Sequence, residues 1–81
     1  MDISKNANGQ LIQIGLNVRF YRGLQDLTQA KLAERASVSI SAISRLENAS
    51  GITSSELMTL LKVAIALDIH PSKLFEFREK N

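Results

Sequence analysis

Apolar residues recur at helical spacing from Leu11 onward, in two rows that lie on different sides of one predicted helix. Spacings of three and four predict a helix that turns one face toward a core. The second row widens the apolar surface beyond what one neighbour usually covers, so we expect it to contact a second helix or a partner. The first row is Leu11, Ile14, Val18 and Tyr21, and the second is Ile12, Leu16 and Phe20.

Two short amphipathic segments follow, separated by a tight turn. Thr28 is placed to cap a helix over 29–36, and Ser39 is placed to cap a helix over 40–48, because a hydroxyl oxygen can accept a free N–H of the first turn. The residues predicted to face inward are Leu32, Ala33, Ala36, Ile43 and Leu46.

The last third of the chain predicts two more helices. Residues 53–56 match the capping box of Ser or Thr followed three positions later by Glu, and helical spacing continues to Asp68. Pro71 suits the first turn of a fifth helix over 71–77 with Leu74 inward. Alternation of apolar and polar residues is never sustained, so we expect an all-α bundle of five short helices. The inward residues of the fourth helix are predicted to be Leu57, Leu60, Leu61, Ala64 and Leu67.

The length of 81 residues fits one domain, and the contents of 44% hydrophobic and 22% charged residues are those of a globular protein. Residues 1–10 are polar and turn-prone, which predicts a flexible N-terminal arm. The domain is expected over 11–77 and a short tail over 78–81. The net charge is +2, and all of the excess lies in residues 1–50, so we expect any anion-binding face there.

The chain lacks the residues that several classes of function require. The chain has no cysteine and one histidine, His70, with no second base or nucleophile motif, and its four glycines are scattered. We therefore expect no enzyme activity, cofactor, metal or evident small-molecule ligand. The N-terminus lacks the apolar run of a signal peptide, and the longest apolar stretch, 63–67, is far shorter than a membrane span. A cytoplasmic protein without a membrane partner is expected.

Two short helices joined by a tight turn can place the second helix in the major groove of DNA. Small residues on its outer face permit close approach, and an arginine can bind O6 and N7 of guanine. The start of the preceding helix, at Thr28 and Gln29, suits a phosphate. The alternative is that this polar face is only solvated surface. The outer face carries Ile40, Ser41, Ser44 and Arg45.

The segments 27–33 (LTQAKLA) and 43–48 (ISRLEN), with Val38 between them, resemble the helix-turn-helix of the lambda repressor and Cro-like family, often called XRE. The resemblance continues on both sides and covers residues 14–75. It implies a five-helix lambda-repressor-like domain, with helices 2 and 3 as the helix-turn-helix, that regulates transcription by binding double-stranded DNA.

The resemblance also implies roles for individual residues in a recognition helix over about 39–48. Arg22 and Glu47 match a pair that bridges the first helix to the end of the third, and Arg22 also belongs to the phosphate-facing surface. Ser37 stands where the family usually has a glycine of positive φ, and Ile40 stands where relatives carry a polar residue. Ile40 would contact a thymine methyl group or simply pack. The base-contacting positions are Ser39, Ile40, Ser41 and Arg45, with Ser44 added from the outer face, and the phosphate-contacting positions are Thr28, Gln29, Asn48 and Arg22.

A single recognition helix makes few base contacts, so we expect a homodimer on an inverted-repeat operator. An alternative for part of the expected dimer surface is that Phe75 and Phe77 pack on Leu16 and Phe20 of the first helix. A competing function is an antitoxin-like or adaptor protein that binds a protein partner and uses DNA binding for autoregulation. We favour the hypothesis of a regulator that acts without a protein partner, such as a phage repressor, a plasmid or chromosomal regulator, or a restriction-modification controller. The predicted dimer residues are Met58, Ile65, Ile69, Phe75 and Phe77.

Overall fold

The computed structural model describes residues 2–48 and 56–77 and is all-helical over them. Over these ranges it contains four α-helices and, near the C-terminus, a 3₁₀ helix, and the all-α fold class is confirmed. α1 packs against α3 and the 3₁₀ helix, and α2 packs against α3 and α4. The elements are α1 (Ile3–Leu24), α2 (Gln29–Ala36), α3 (Ile40–Asn48), α4 (Leu57–Ala66) and the 3₁₀ helix (Pro71–Phe75).

The helix-turn-helix, α2 and α3, has the bounds that local signals predict. Thr28 Oγ1 accepts the backbone N–H of Lys31 at 3.0 Å, and Ser39 Oγ accepts that of Ala42 at 3.1 Å. Ser37 ends α2 in the left-handed region, with φ 57° and ψ 44°. The turn therefore keeps the geometry of a glycine with a serine, at a cost of about 1 kcal/mol.

α1 begins at Ile3 rather than Leu11, which corrects the expected arm over 1–10. Asp2 is its N-cap, and the Asp2 carboxylate accepts the N–H of Lys5 at 3.1 Å. A helix that is already held by packing extends at one hydrogen bond per residue, without a new nucleation cost. Weak helix formers such as Asn8 and Gly9 are therefore included in the helix.

The ends of the last two helices also differ from the prediction. α4 begins at Leu57, and the Glu56 side chain makes no capping hydrogen bond; Thr53–Ser55 of the expected box lie outside the described residues. The fifth helix is a 3₁₀ helix that ends at Phe75. The Asn17 amide binds the carbonyl oxygens of Leu74 and Glu76, which holds the chain extended after that point.

The core is apolar and is built from every element. Leu57 and Leu61, which were predicted to face inward, are exposed instead. The buried face of α4 is centred on Leu60, Val63 and Ala64, and the helical period places Leu57 and Leu61 on its flank. The core residues are Ile14, Val18, Leu27, Leu32, Ala33, Ala36, Ile43, Leu46, Leu60, Val63, Ala64, Leu67 and Leu74.

Gly15 lets the backbones of α1 and α3 approach closely. A Cβ atom there would overlap the carbonyl oxygen of Leu46 and lie 2.9 Å from that of Glu47. Both obstacles are backbone atoms, so no side-chain rotation can relieve them.

We expect Gly15→Ala to lower the free energy of unfolding by about 1–3 kcal/mol, as overpacking usually does. Gly9→Ala is the matched control, because a Cβ at Gly9 meets nothing within 4 Å. The control should raise stability by about 0.5–1 kcal/mol, through better helix propensity. Urea denaturation measures both, and equal effects of the two changes would contradict the close approach.

Candidate nucleic-acid interface

The outer face of α3 is polar apart from Ile40, and it begins at a capped helix start. Ser39, Ile40, Ser41, Arg45 and Asn48 are exposed, and Ser44 is half-buried. Ile40 keeps 53% of its surface exposed, so the start of the helix offers an apolar contact beside two hydroxyl groups. The Asn48 Nδ2 donates to Ser44 Oγ at 3.3 Å, which joins the two side chains along this face.

Arg45 is the cation of this face, and it is bound at one edge by a carboxylate. Its Nε and Nη2 donate to Glu56 Oε1 at 3.2 and 2.9 Å. The Glu56 side chain is 9% exposed, whereas the Arg45 side chain is 45% exposed. The guanidinium is therefore held from the protein side and remains accessible from outside.

The start of α2 forms the second part of the candidate interface. Thr28 is exposed at the cap, and its hydroxyl proton remains able to donate. The first N–H groups of a helix lack intrahelical partners and carry partial positive charge, which is the environment a phosphate oxygen needs. Lys31 lies one turn further along and pairs at the surface with Glu34 at 3.1 Å.

Arg22 and Glu47 form a two-point ion pair that joins α1 to the end of α3. Arg22 Nε donates to Glu47 Oε2 at 2.6 Å, and Nη2 donates to Oε1 at 2.9 Å. The remaining Arg22 Nη1 donates to the carbonyl of Leu27 at 2.7 Å, and Gln29 Nε2 donates to Glu47 Oε1 at 3.1 Å. The Glu47 side chain is only 3% exposed. We call these four residues the Arg22–Glu47 network.

The network keeps Arg22 charged. The hydrogen bonding of Arg22 to the Glu47 carboxylate is the main cause that raises the pKa of Arg22 above its usual range, and partial burial opposes it. A raised pKa stabilises the folded state at every pH below the unfolded value, so the ion pair persists throughout the neutral range. Two donor groups of Arg22 bind Glu47 and one binds the carbonyl of Leu27, so contacts within the protein fix the position of this side chain.

The predicted dimer residues differ in exposure. Met58 and Ile65 are exposed on the outer side of α4, while Ile69 is half-buried and packs on the core. Phe75 and Phe77 are 55% and 80% exposed. The two rings line a cleft of about 440 Å³, together with Ile14 and polar residues that precede it on α1.

Two residues of consequence were not predicted from the sequence. Asn17 is fully buried in α1, where Nδ2 donates to the carbonyls of Leu74 at 3.0 Å and Glu76 at 2.7 Å. Its spacing of three from Ile14 places it on the core face, and that was the available signal. Glu56 was assigned to a capping box, and no local pattern indicates its pairing with Arg45.

A family model described as helix-turn-helix matches residues 18–74 of the chain. The chain belongs to the XRE-type helix-turn-helix family, and it is a DNA-binding transcription regulator rather than an enzyme. This confirms the family resemblance seen in the sequence.

A particular solved structure is similar over almost its whole length. It is the crystal structure of the restriction-modification controller protein C.AhdI from Aeromonas hydrophila, with 33% sequence identity and a TM-score of 0.75. The similarity covers 83% of this chain and 98% of that one. No curated protein matches the sequence.

Within residues 2–48 and 56–77, no helix is both long enough and apolar enough to cross a membrane. The same ranges contain no group of three histidine, cysteine or acidic side chains placed to hold a metal ion.

We expect Glu47→Gln to lower the free energy of unfolding by about 3 kcal/mol, because it leaves the Arg22 charge without its anion in a largely buried site. Glu34→Gln is the matched control, since it removes the same charge from an exposed pair and should change stability by less than about 0.5 kcal/mol. Guanidinium denaturation measures both. Equal losses would mean that the Arg22–Glu47 network does not hold the bundle.

Proposed function

We propose that the protein is a sequence-specific regulator that binds an inverted-repeat operator as a homodimer, with the recognition helix at about 39–48 in the major groove. The observation that carries this proposal is the outward face of α3. It combines small hydroxyl side chains, one apolar residue and one arginine on a helix whose far end is fixed by the Arg22–Glu47 network.

Direct reading of bases is assigned to this face. Ser39, Ser41 and Ser44 can donate to or accept from base edges, and Ile40 can contact a thymine methyl group. Arg45 is assigned to a guanine, because a guanidinium can donate to O6 and N7 together. These contacts would set the sequence preference.

Phosphate contacts are assigned around the reading face. Thr28 and Gln29 at the start of α2 face one strand, and Asn48 at the end of α3 extends the same surface. Arg22 contributes its positive charge next to this line while it remains bound to Glu47. Such contacts fix orientation and give affinity that falls with salt.

Homodimerisation is supported by an apolar surface on α4. Met58 and Ile65 are seven positions apart, which is two helical turns, and both are more than half exposed. The flanking Leu57 and Leu61 are exposed beside them, so one helix carries four large apolar side chains at the surface. Patches of this kind are typical of interaction sites. We assign Phe75 and Phe77, on the neighbouring C-terminal segment, and Ile69 to the same interface.

A role as a restriction-modification controller is the biological context we propose first. It is supported by the similarity to C.AhdI over most of both chains. The competing adaptor function is favoured by one observation, the exposed apolar row of α1, in which Ile12 is 55%, Leu16 is 45% and Phe20 is 39% exposed. A protein partner would be expected to cover that row.

The test is a binding selection of the purified protein on randomised duplex DNA, followed by affinity measurements at several salt concentrations. We expect an enriched inverted repeat with half-sites about 10 base pairs apart and an affinity that falls as salt rises. No enrichment from a folded sample would reject sequence-specific binding and favour the adaptor function.

We expect Arg45→Ala to weaken operator binding by about 1–3 kcal/mol and to relax the preference at one base pair. Gln29→Ala should weaken binding to all sequences alike. Lys62→Ala is the charge-matched control on the exposed surface of α4. Affinities on the operator and on single-base variants separate these outcomes, and an equal loss on every sequence for Arg45→Ala would show that Arg45 binds only phosphate.

We expect Ile65→Glu to convert a dimer to a monomer at micromolar concentration, because a charge buried in an apolar interface is strongly unfavourable. Leu24→Glu is the control, since Leu24 is a large exposed apolar residue on α1. Sedimentation equilibrium measures both. Dissociation by Leu24→Glu instead would move the interface from α4 to α1.

A further inference from the structure

Glu56 is a buried carboxylate that the functions assigned above do not use. Glu56 as a whole is 7% exposed. It stands at the N-cap position of α4, but its side chain makes no capping hydrogen bond there. The partner that the structure gives it is Arg45, on the outer face of α3. A buried charge without a capping role therefore contacts the one cation proposed to read a base.

The hydrogen bonds occupy one edge of the guanidinium. Arginine has five N–H donors: one on Nε and two on each terminal nitrogen. Nε and Nη2 are bound to Glu56 Oε1, and Nη1 bonds to no group in the part of the chain that the structure describes. Within residues 2–48 and 56–77, nothing binds the edge formed by Nη1 and the second proton of Nη2, and two N–H groups on one edge match O6 and N7 of guanine.

We propose that Glu56 is a specificity-determining positioning residue: its carboxylate holds the guanidinium of Arg45 by the Nε edge so that the opposite edge is presented to a guanine. This inference rests on the proposed function of α3 as the recognition helix. Glu56 touches no base in this arrangement and acts only through Arg45.

The gain from such positioning is in conformational entropy and in discrimination. An arginine that is already held loses less rotamer freedom on binding, and immobilising such a side chain costs an amount equivalent to about two- to twelvefold in affinity. A held guanidinium also cannot swing to a phosphate, which every sequence offers. Both effects favour the guanine-containing site over other sites.

Competition between Glu56 and DNA for Arg45 predicts the opposite change in operator affinity. If Glu56 only competed with DNA for Arg45, its neutralisation would free the guanidinium and strengthen operator binding. Under the proposal, Glu56→Gln weakens the preference for the correct base pair by about two- to twelvefold. Binding to unrelated DNA should not weaken, because a negative charge near phosphates is removed.

The experiment measures affinities of the full chain for the selected operator, for variants at the base pair that Arg45 reads, and for unrelated DNA. Glu76→Gln is the matched control, since it neutralises a carboxylate in the exposed Lys73–Glu76 pair. It should leave the preference unchanged. Glu56→Gln in an Arg45→Ala background should also leave it unchanged, because the positioned group is absent.

Thermal unfolding of each variant separates positioning from folding. Should Glu56→Gln fail to fold, Glu56→Asp keeps the charge but shortens the side chain by one carbon. It is expected to reduce the base preference by a smaller factor than twelvefold. An unchanged preference in a folded Glu56 variant, or stronger operator binding, overturns the proposal.

The result also distinguishes failure of this inference from failure of the proposed function. If the native chain enriches no sequence, the function of α3 is wrong. If it enriches an operator and Arg45→Ala changes no single base preference, operator binding stands and the role of Glu56 is rejected.

Discussion

The position of α3, the proposed recognition helix, depends on the Arg22–Glu47 ion pair. The pair joins α1 to the last turn of α3, and the same two side chains also bind the Leu27 carbonyl and the Gln29 amide, which come from the entry to α2 and its first residue. Gly15 lets the α1 backbone reach the same end of α3. The helix is thus fixed at its carboxyl end, and its amino end stays open for contacts.

Two buried or nearly buried glutamates divide the work of holding arginines. Glu47 binds an arginine of the bundle, and Glu56 binds an arginine of the outer face. An ion pair at the surface contributes little to stability. In these two pairs the carboxylate is buried, so loss of its partner is costly. The first pair joins two helices of the bundle, whereas the second lies on the outer face of α3.

Local signals predicted α2 and α3 to the residue. Thr28 and Ser39 cap their own helices, and such signals act over three or four positions. The early start of α1 was missed because residues 3–10 are exposed and include weak helix formers such as Asn8 and Gly9. The end of the 3₁₀ helix was missed because it depends on a distant partner, Asn17. The roles of Asn17 and Glu56 were missed for the same reason: their partners lie far away in sequence. The family resemblance supplied the pairing of Arg22 with Glu47, which periodicity alone does not reveal.

The Asn17 side-chain amide binds the C-terminal segment at two main-chain carbonyl groups. Both of its acceptors are main-chain carbonyls, of residues 74 and 76. These hydrogen bonds therefore involve no side chain of residues 75 and 77, both of which are exposed. A substitution at either position leaves both acceptors in place. The main-chain contact between α1 and the C-terminal segment thus places no direct requirement on the identity of the two side chains that the segment displays.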